Sequence, residues 1–232
     1  MNERHVHWSR YAFALGLTIL ILFTTIMTFF ATDNARIKEL NRQSEELQAR
    51  YDALQVQQLY LSTLPNNKNS CPSITIALQD AIKQLARSLD NVQRVRESTL
   101  INTRETEIIE RTYLNDNIRY WIFAKKAKEI CNANIVTILY FTTTNKCDEC
   151  EQQGDILSYY KKKLQDNILI FPINTALREK ETIISVLESQ YEITTTPAIV
   201  IEDTTYTEPL TREQLLEILK NKYYDTTILG EK

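Results

Sequence analysis

Glycine is scarce in this sequence, with 3 in 232 residues, against an average usage of about 7%. Phosphate-cradling loops need several glycines within a few residues. No such cluster is present, which excludes nucleotide binding through a loop of that kind. Histidine is scarcer still. His5 and His7 both lie at the extreme N-terminus, so a Ser-His or Cys-His catalytic pair inside a folded region is excluded. A basic excess is also missing. There are 27 Lys and Arg against 30 Asp and Glu, for a net charge of -3. Nothing in that balance provides the electrostatic footprint of a nucleic-acid binder. Cysteine is limited to Cys71, Cys131, Cys147 and Cys150.

The apolar residues that are present concentrate first near the N-terminus. No charged residue occurs from Tyr11 to Thr32. As a helix, that run would span about 33 Å, against about 30 Å for a hydrocarbon core. It exceeds the apolar stretch of about 7–15 residues in a cleavable signal peptide, and "FFATDNA" lacks an A-x-A site. The expectation is an uncleaved single-pass anchor in the cell membrane. Residues 1–10 would form a short cytoplasmic tail and 11–32 a transmembrane helix, with Trp8 as an interfacial anchor. Arg4 and Arg10 precede the run and Arg36, Lys38 and Arg42 follow it, so the Lys/Arg rule gives no orientation.

Residues 33–64 place Leu40, Leu47, Leu54 and Leu61 at strict seven-residue spacing. The partner seam, Ile37, Ser44, Tyr51 and Gln58, is mostly polar. A helical stalk is expected, either paired with a second copy as a weak coiled coil or packed on its own chain. "PNNKNS" breaks it. Residues 71–131 then carry two helical patterns. Leu78, Ile82, Leu85, Leu89 and Val92 mark the first, and Ile109, Leu114, Ile118, Trp121 and Ile122 the second. A hairpin turning near Ile101 brings Cys71 and Cys131 to the same end, where they are expected to form a structural disulfide. The competing reading is one long helix. A persistent disulfide implies an oxidising compartment. The N-terminus is then inside, and everything after Thr32 is extracytoplasmic.

From residue 134 to 232 the pattern becomes strand–helix–strand–helix, then strands and a closing helix, which is an α/β layered arrangement. "NIVTILYF" reads as a buried strand and "CDECEQQGDILSYYKKKLQ" as a helix, acidic at its start and basic at its end. "NILIFPINT", "LREKETIISVLESQY", "PAIVIEDTTYTEP" and "TREQLLEILKNKYY" continue the series. Cys147-Asp148-Glu149-Cys150 opens the first helix, and Thr196-Pro197 heads the third strand.

That order of strand, CxxC at a helix start, strand, helix and Thr-Pro resembles the thioredoxin-like superfamily over about the last hundred residues. The resemblance implies a thioredoxin-like α/β domain at 134–232, behind an N-terminal transmembrane helix and an all-α stalk and hairpin. It implies Cys147 as the nucleophile, Cys150 as the resolving thiol, and a cis Pro197 facing the pair beside Thr196. It also implies protein disulfides or dithiols as substrates and chemistry that needs no cofactor and no metal. Two positions depart from the family pattern. Lys146-Cys147-Asp148-Glu149-Cys150 replaces Trp-Cys-Gly-Pro-Cys, and Phe141 stands where thioredoxins carry a buried acid.

Three functions compete on these residues. The first is a membrane-tethered, extracytoplasmic thiol-disulfide oxidoreductase. The second is a non-catalytic binding head on a helical stalk, in which the CxxC bridge is inert. The third is a zinc site made of all four cysteines, for which a second CxxC is missing.

Overall fold

The computed structural model describes residues 8–97, 103–144 and 146–222; the side chains at 8–12, 14, 30–41, 43, 44, 47, 50, 96 and 97 lie outside the description. The expected hairpin turn near Ile101 and the Trp8 side chain fall in the undescribed part. The chain divides into two units, 1–63 and 64–232.

The described residues of the first unit form one helix, α1 (Trp8–Thr63), 56 residues long. Two expectations are corrected by this finding and by the overall content of the chain. Among the described residues no helix is long and apolar enough to cross a membrane, so the transmembrane helix at 11–32 is not supported. The run carries Thr18, Thr24, Thr25 and Thr28, whose hydroxyls donate to helix carbonyls three or four residues back. The expected fold class, an α/β thioredoxin-like domain behind that anchor, is corrected as well. The described residues are predominantly helical and carry one small mixed sheet of four strands. The reason is length, because α1 and the next two helices, of 27 and 29 residues, all precede the first strand.

The second unit opens with a short 3-10 turn at Lys68–Ser70, started by the Asn67 side chain accepting from the Asn69 amide. It leads into α2 (Cys71–Glu97) and α3 (Thr103–Cys131), which pack on each other. Cys71 and Cys131 are disulfide-bonded, with Cα atoms 5.3 Å apart. The expected pairing is thus present at the root of the two helices.

Then follow β1 (Val136–Thr142), α4 (Asp148–Leu164), β2 (Ile168–Asn174), α5 (Thr182–Gln190), β3 (Ala198–Ile201), β4 (Thr204–Tyr206) and α6 (Arg212–Lys222). The strand order is β2-β1-β3-β4. β1 pairs in parallel with β2, Val136 opposite Ile168, and antiparallel with β3, Tyr140 opposite Ile199. The β3–β4 turn places Glu202 at φ 58, in the left-handed region. Glu202 fits because its carboxylate accepts from the Thr137 amide at 2.8 Å and pairs with Lys128 at 2.8 Å.

Alternation along the strands sorts two cores, one on each face of the sheet. Leu139, Phe141, Phe171 and Ile173 pack with Leu114, Ile118 and Trp121 of α3 and Ile184 and Leu187 of α5. Val136, Ile138, Tyr140 and Ile168 pack with Leu157 and Leu164 of α4 and Leu215 and Leu219 of α6. The edge strand β2 carries Pro172, which a central strand would not tolerate. Buried Asn117 of α3 donates to the Pro172 carbonyl at 2.9 Å, tying the helix to that edge.

Candidate functional site

β1 is buried from Val136 to Phe141, and its chain emerges at Thr142. Lys146 then takes φ 29, a left-handed turn that redirects the chain into α4. Cys147 is the extended N-cap of that helix, and its Sγ accepts from the Cys150 amide at 3.2 Å. A cap needs a side-chain acceptor at that amide, and here sulfur fills the role usually taken by oxygen. Cys147 and Cys150 are disulfide-bonded, with Cα atoms 5.2 Å apart. They differ in exposure. Cys147 is half-buried, whereas Cys150 is buried at 4% relative exposure.

One group that sequence reasoning missed holds Cys150 in place. Tyr140 donates its hydroxyl to the Cys150 carbonyl. Burial raises the Tyr140 phenol above its ordinary value, so it stays a donor at neutral pH. Gln153, one turn on, is also buried, and its Oε1 accepts from the Leu210 amide at 2.6 Å. The signal for Tyr140 was its strand parity. It shares a face with Val136 and Ile138, which is the face α4 covers. Gln153 gave no signal, because a polar residue in a helix is ordinarily solvated.

The Thr196–Pro197 peptide is cis, Pro197 is buried and Thr196 is half-buried. Thr196 and Cys147 line one open depression of about 650 Å3, together with Thr143, Lys146, Asp148 and Glu149. The structure thus places Cys147, with its bridge partner Cys150, and Thr196 at one depression; Pro197 follows Thr196 in the chain and does not line it. It leaves Cys71 and Cys131 apart from them, before β1 rather than after it.

The electrostatics at Cys147 are mixed. The helix N-terminus and the Cys150 N–H favour a thiolate at Cys147 once the bridge opens. Lys146 adds to this, and Asp148, Glu149 and Glu151 oppose it. These charged side chains are exposed, so salt weakens their influence more than that of the amide. Phe141 is fully buried against the α3 side of the sheet. All four cysteines are committed to bridges, which leaves no thiolate set for the zinc reading.

No family model matches the chain. No curated protein matches it either. Among solved structures, one described as the structure of a malarial protein is 17% identical, covering 38% of this chain and 98% of that one, with a TM-score of 0.33. At that score the likeness carries no argument about fold or function.

Proposed function

We propose that the chain is a thiol-disulfide oxidoreductase acting through Cys147 and Cys150 in an oxidising compartment. The carrying observation is the asymmetry of the bridge. A half-exposed sulfur at a helix start is bonded to a buried one, and Thr196 shares the depression beside the exposed member. The Cys71–Cys131 bridge supports the compartment, because structural disulfides rarely persist in cytosol. The resemblance to the thioredoxin-like superfamily, carried by Cys147, Cys150 and Thr196-Pro197, supports the chemistry.

In the oxidised state, a substrate thiolate attacks Cys147 Sγ. The Cys147–Cys150 bond breaks, and Cys150 leaves as a thiolate that takes up a proton. A second substrate thiolate attacks the substrate sulfur of the mixed disulfide and expels Cys147. The substrate loses two electrons and gains a disulfide, and the protein gains those electrons as two thiols. With a reduced protein and a substrate disulfide, the same steps run in reverse. The partner's potential sets the direction.

Trapping tests this. The Cys150→Ser variant should accumulate covalent mixed disulfides at Cys147, and Cys147→Ser should accumulate few. Equal trapping by both would reject the assigned roles. A bridge that resists reduction, with no trapping by either, would favour the binding head, which the buried Phe141 in place of an acid also supports.

A further inference from the structure

We infer that the face beside the Cys147–Cys150 bridge selects extended, cysteine-bearing polypeptides that carry a bulky apolar side chain three or four residues from the reacting cysteine and basic residues around it. This rests on the redox reading above and adds a substrate class to it.

The observation is a second cavity, of about 330 Å3, where the distal part of the α2–α3 pair meets the ends of β1 and β2. Leu89 and Val92 come from α2, Leu114 from α3 and Leu177 from the turn after β2. Thr143 and Thr144 form its border toward the bridge. Its volume sits at the low end of the range for ligand pockets, about 300–1,000 Å3. That suits one aromatic or branched side chain better than a whole cofactor.

Continuity with the bridge follows from Thr143, which borders both this cavity and the depression around Cys147. Thr144 lies three residues before Cys147. Three residues span at most about 11 Å, so the border of the cavity lies within three or four residues of extended peptide from the sulfur. A single extended segment can therefore place its cysteine at one depression and an apolar side chain at the other.

The charge of the face narrows the occupant further. Glu110 borders the cavity, and Asp148, Glu149 and Glu151 border the bridge, against Lys146 alone. Basic residues around the substrate cysteine complement this excess of negative charge, and acidic ones are repelled.

The test uses the full chain, reduced, and peptides whose single cysteine carries a thionitrobenzoate group. Cys147 attacks the peptide sulfur, a Cys147–peptide disulfide forms, and the coloured arylthiolate leaves. The mixed disulfide of mercaptoethanol and thionitrobenzoate reports the chemistry without a side chain, and every rate is divided by it. A lysine-flanked peptide with Phe at the third or fourth position should react about tenfold faster than its Ser counterpart. Glutamate flanks should slow it, and 1 M salt should close the Lys–Glu gap. Gln93→Trp, which fills the mouth of the cavity from an exposed position, and Leu89→Ser should each reduce the Phe/Ser ratio toward one.

Equal rates for Phe and Ser peptides, or a ratio unchanged in both variants, would overturn the inference while leaving the redox function standing. Failure of the mercaptoethanol compound to react would overturn the redox reading, and this inference with it.

Discussion

Replacing both Cys71 and Cys131 by serine should cost the 64–232 unit about 4 kcal/mol. The two residues are 60 apart in sequence. Closing a loop of that length in the unfolded chain removes about 14 cal/mol/K, hence about 4 kcal/mol at 25 °C. For a unit of this size, that corresponds to a fall of roughly 8–16 °C in melting temperature. Both cysteines are changed together, so that no lone thiol is left to pair between molecules or to scramble the pairing in the unfolded chain. Urea unfolding followed by tryptophan fluorescence is the assay. Trp121 is buried between α3 and the sheet, so it reports the packing that the clamp secures. Exchange at Cys147 should survive in the folded variant. A loss under about 1 kcal/mol would refute the loop-closure reasoning, since it would mean that α2 and α3 hold each other without the bond. Loss of exchange in a variant that is still folded would refute the separation of the two bridges.

Gln153→Leu should cost about 1–3 kcal/mol in urea unfolding, because it strands the buried Leu210 amide, which now donates to Gln153 Oε1. Lys161→Met should cost about 1–2 kcal/mol, because Lys161 Nζ donates to the Gln165 and Ile168 carbonyls at 2.6 and 3.0 Å, where α4 ends. Burial raises the Asp116 carboxyl above its ordinary value of 3.8, only partly offset by its hydrogen bond with Ser88 and by Arg119. A raised carboxyl contributes stability that is full below the unfolded value and lost as pH rises through the folded one. Asp116→Asn should therefore gain on the parent at pH 7, and the gain should shrink below about pH 3.8 in paired urea titrations; a gain that grows on acidification would contradict the sign.

Much of the 64–232 unit was legible because its signals are local. The β-branched run in β1, the acidic start and basic end of α4, and Thr211 before α6 each determine their element from within. At α6 the structure adds a reciprocal cap that the sequence reading passed over. Thr211 Oγ1 accepts from the Gln214 amide, and Gln214 Oε1 accepts from the Thr211 amide. One helix came out short. "LREKETIISVLESQY" suggested helix from Leu177, but α5 begins at Thr182, after a 3-10 turn at Thr175–Leu177. Residues 178–181 are all charged and offer no apolar face until Ile183 and Ile184. The anchor expectation rested on a long uncharged run and a missing A-x-A site, and neither establishes a span; among the described residues no helix is long and apolar enough to cross a membrane. The site cysteines were legible from their spacing. The apolar cavity was not, because its walls come from α2, α3, the end of β1 and the turn after β2, which only the fold brings together.

The two bridges sit at opposite ends of one strand, and this divides their roles. Cys131 precedes β1 by five residues and Cys147 follows it by five. Seven strand residues span about 23 Å, far beyond the contact between sulfurs that exchange requires. The clamp therefore cannot relay electrons to the CxxC in the folded state. Its influence is mechanical. Leu89 lies 18 residues along α2 from Cys71, which is about 27 Å of helix. That matches the length of β1 closely enough to carry Leu89 and Val92 up to Thr143, beside Cys147. A bond at the root of the α2–α3 pair thus fixes where its distal walls meet the redox end of the sheet. The helices that lengthen this unit give the CxxC an apolar neighbour that the strands and α4 by themselves do not supply.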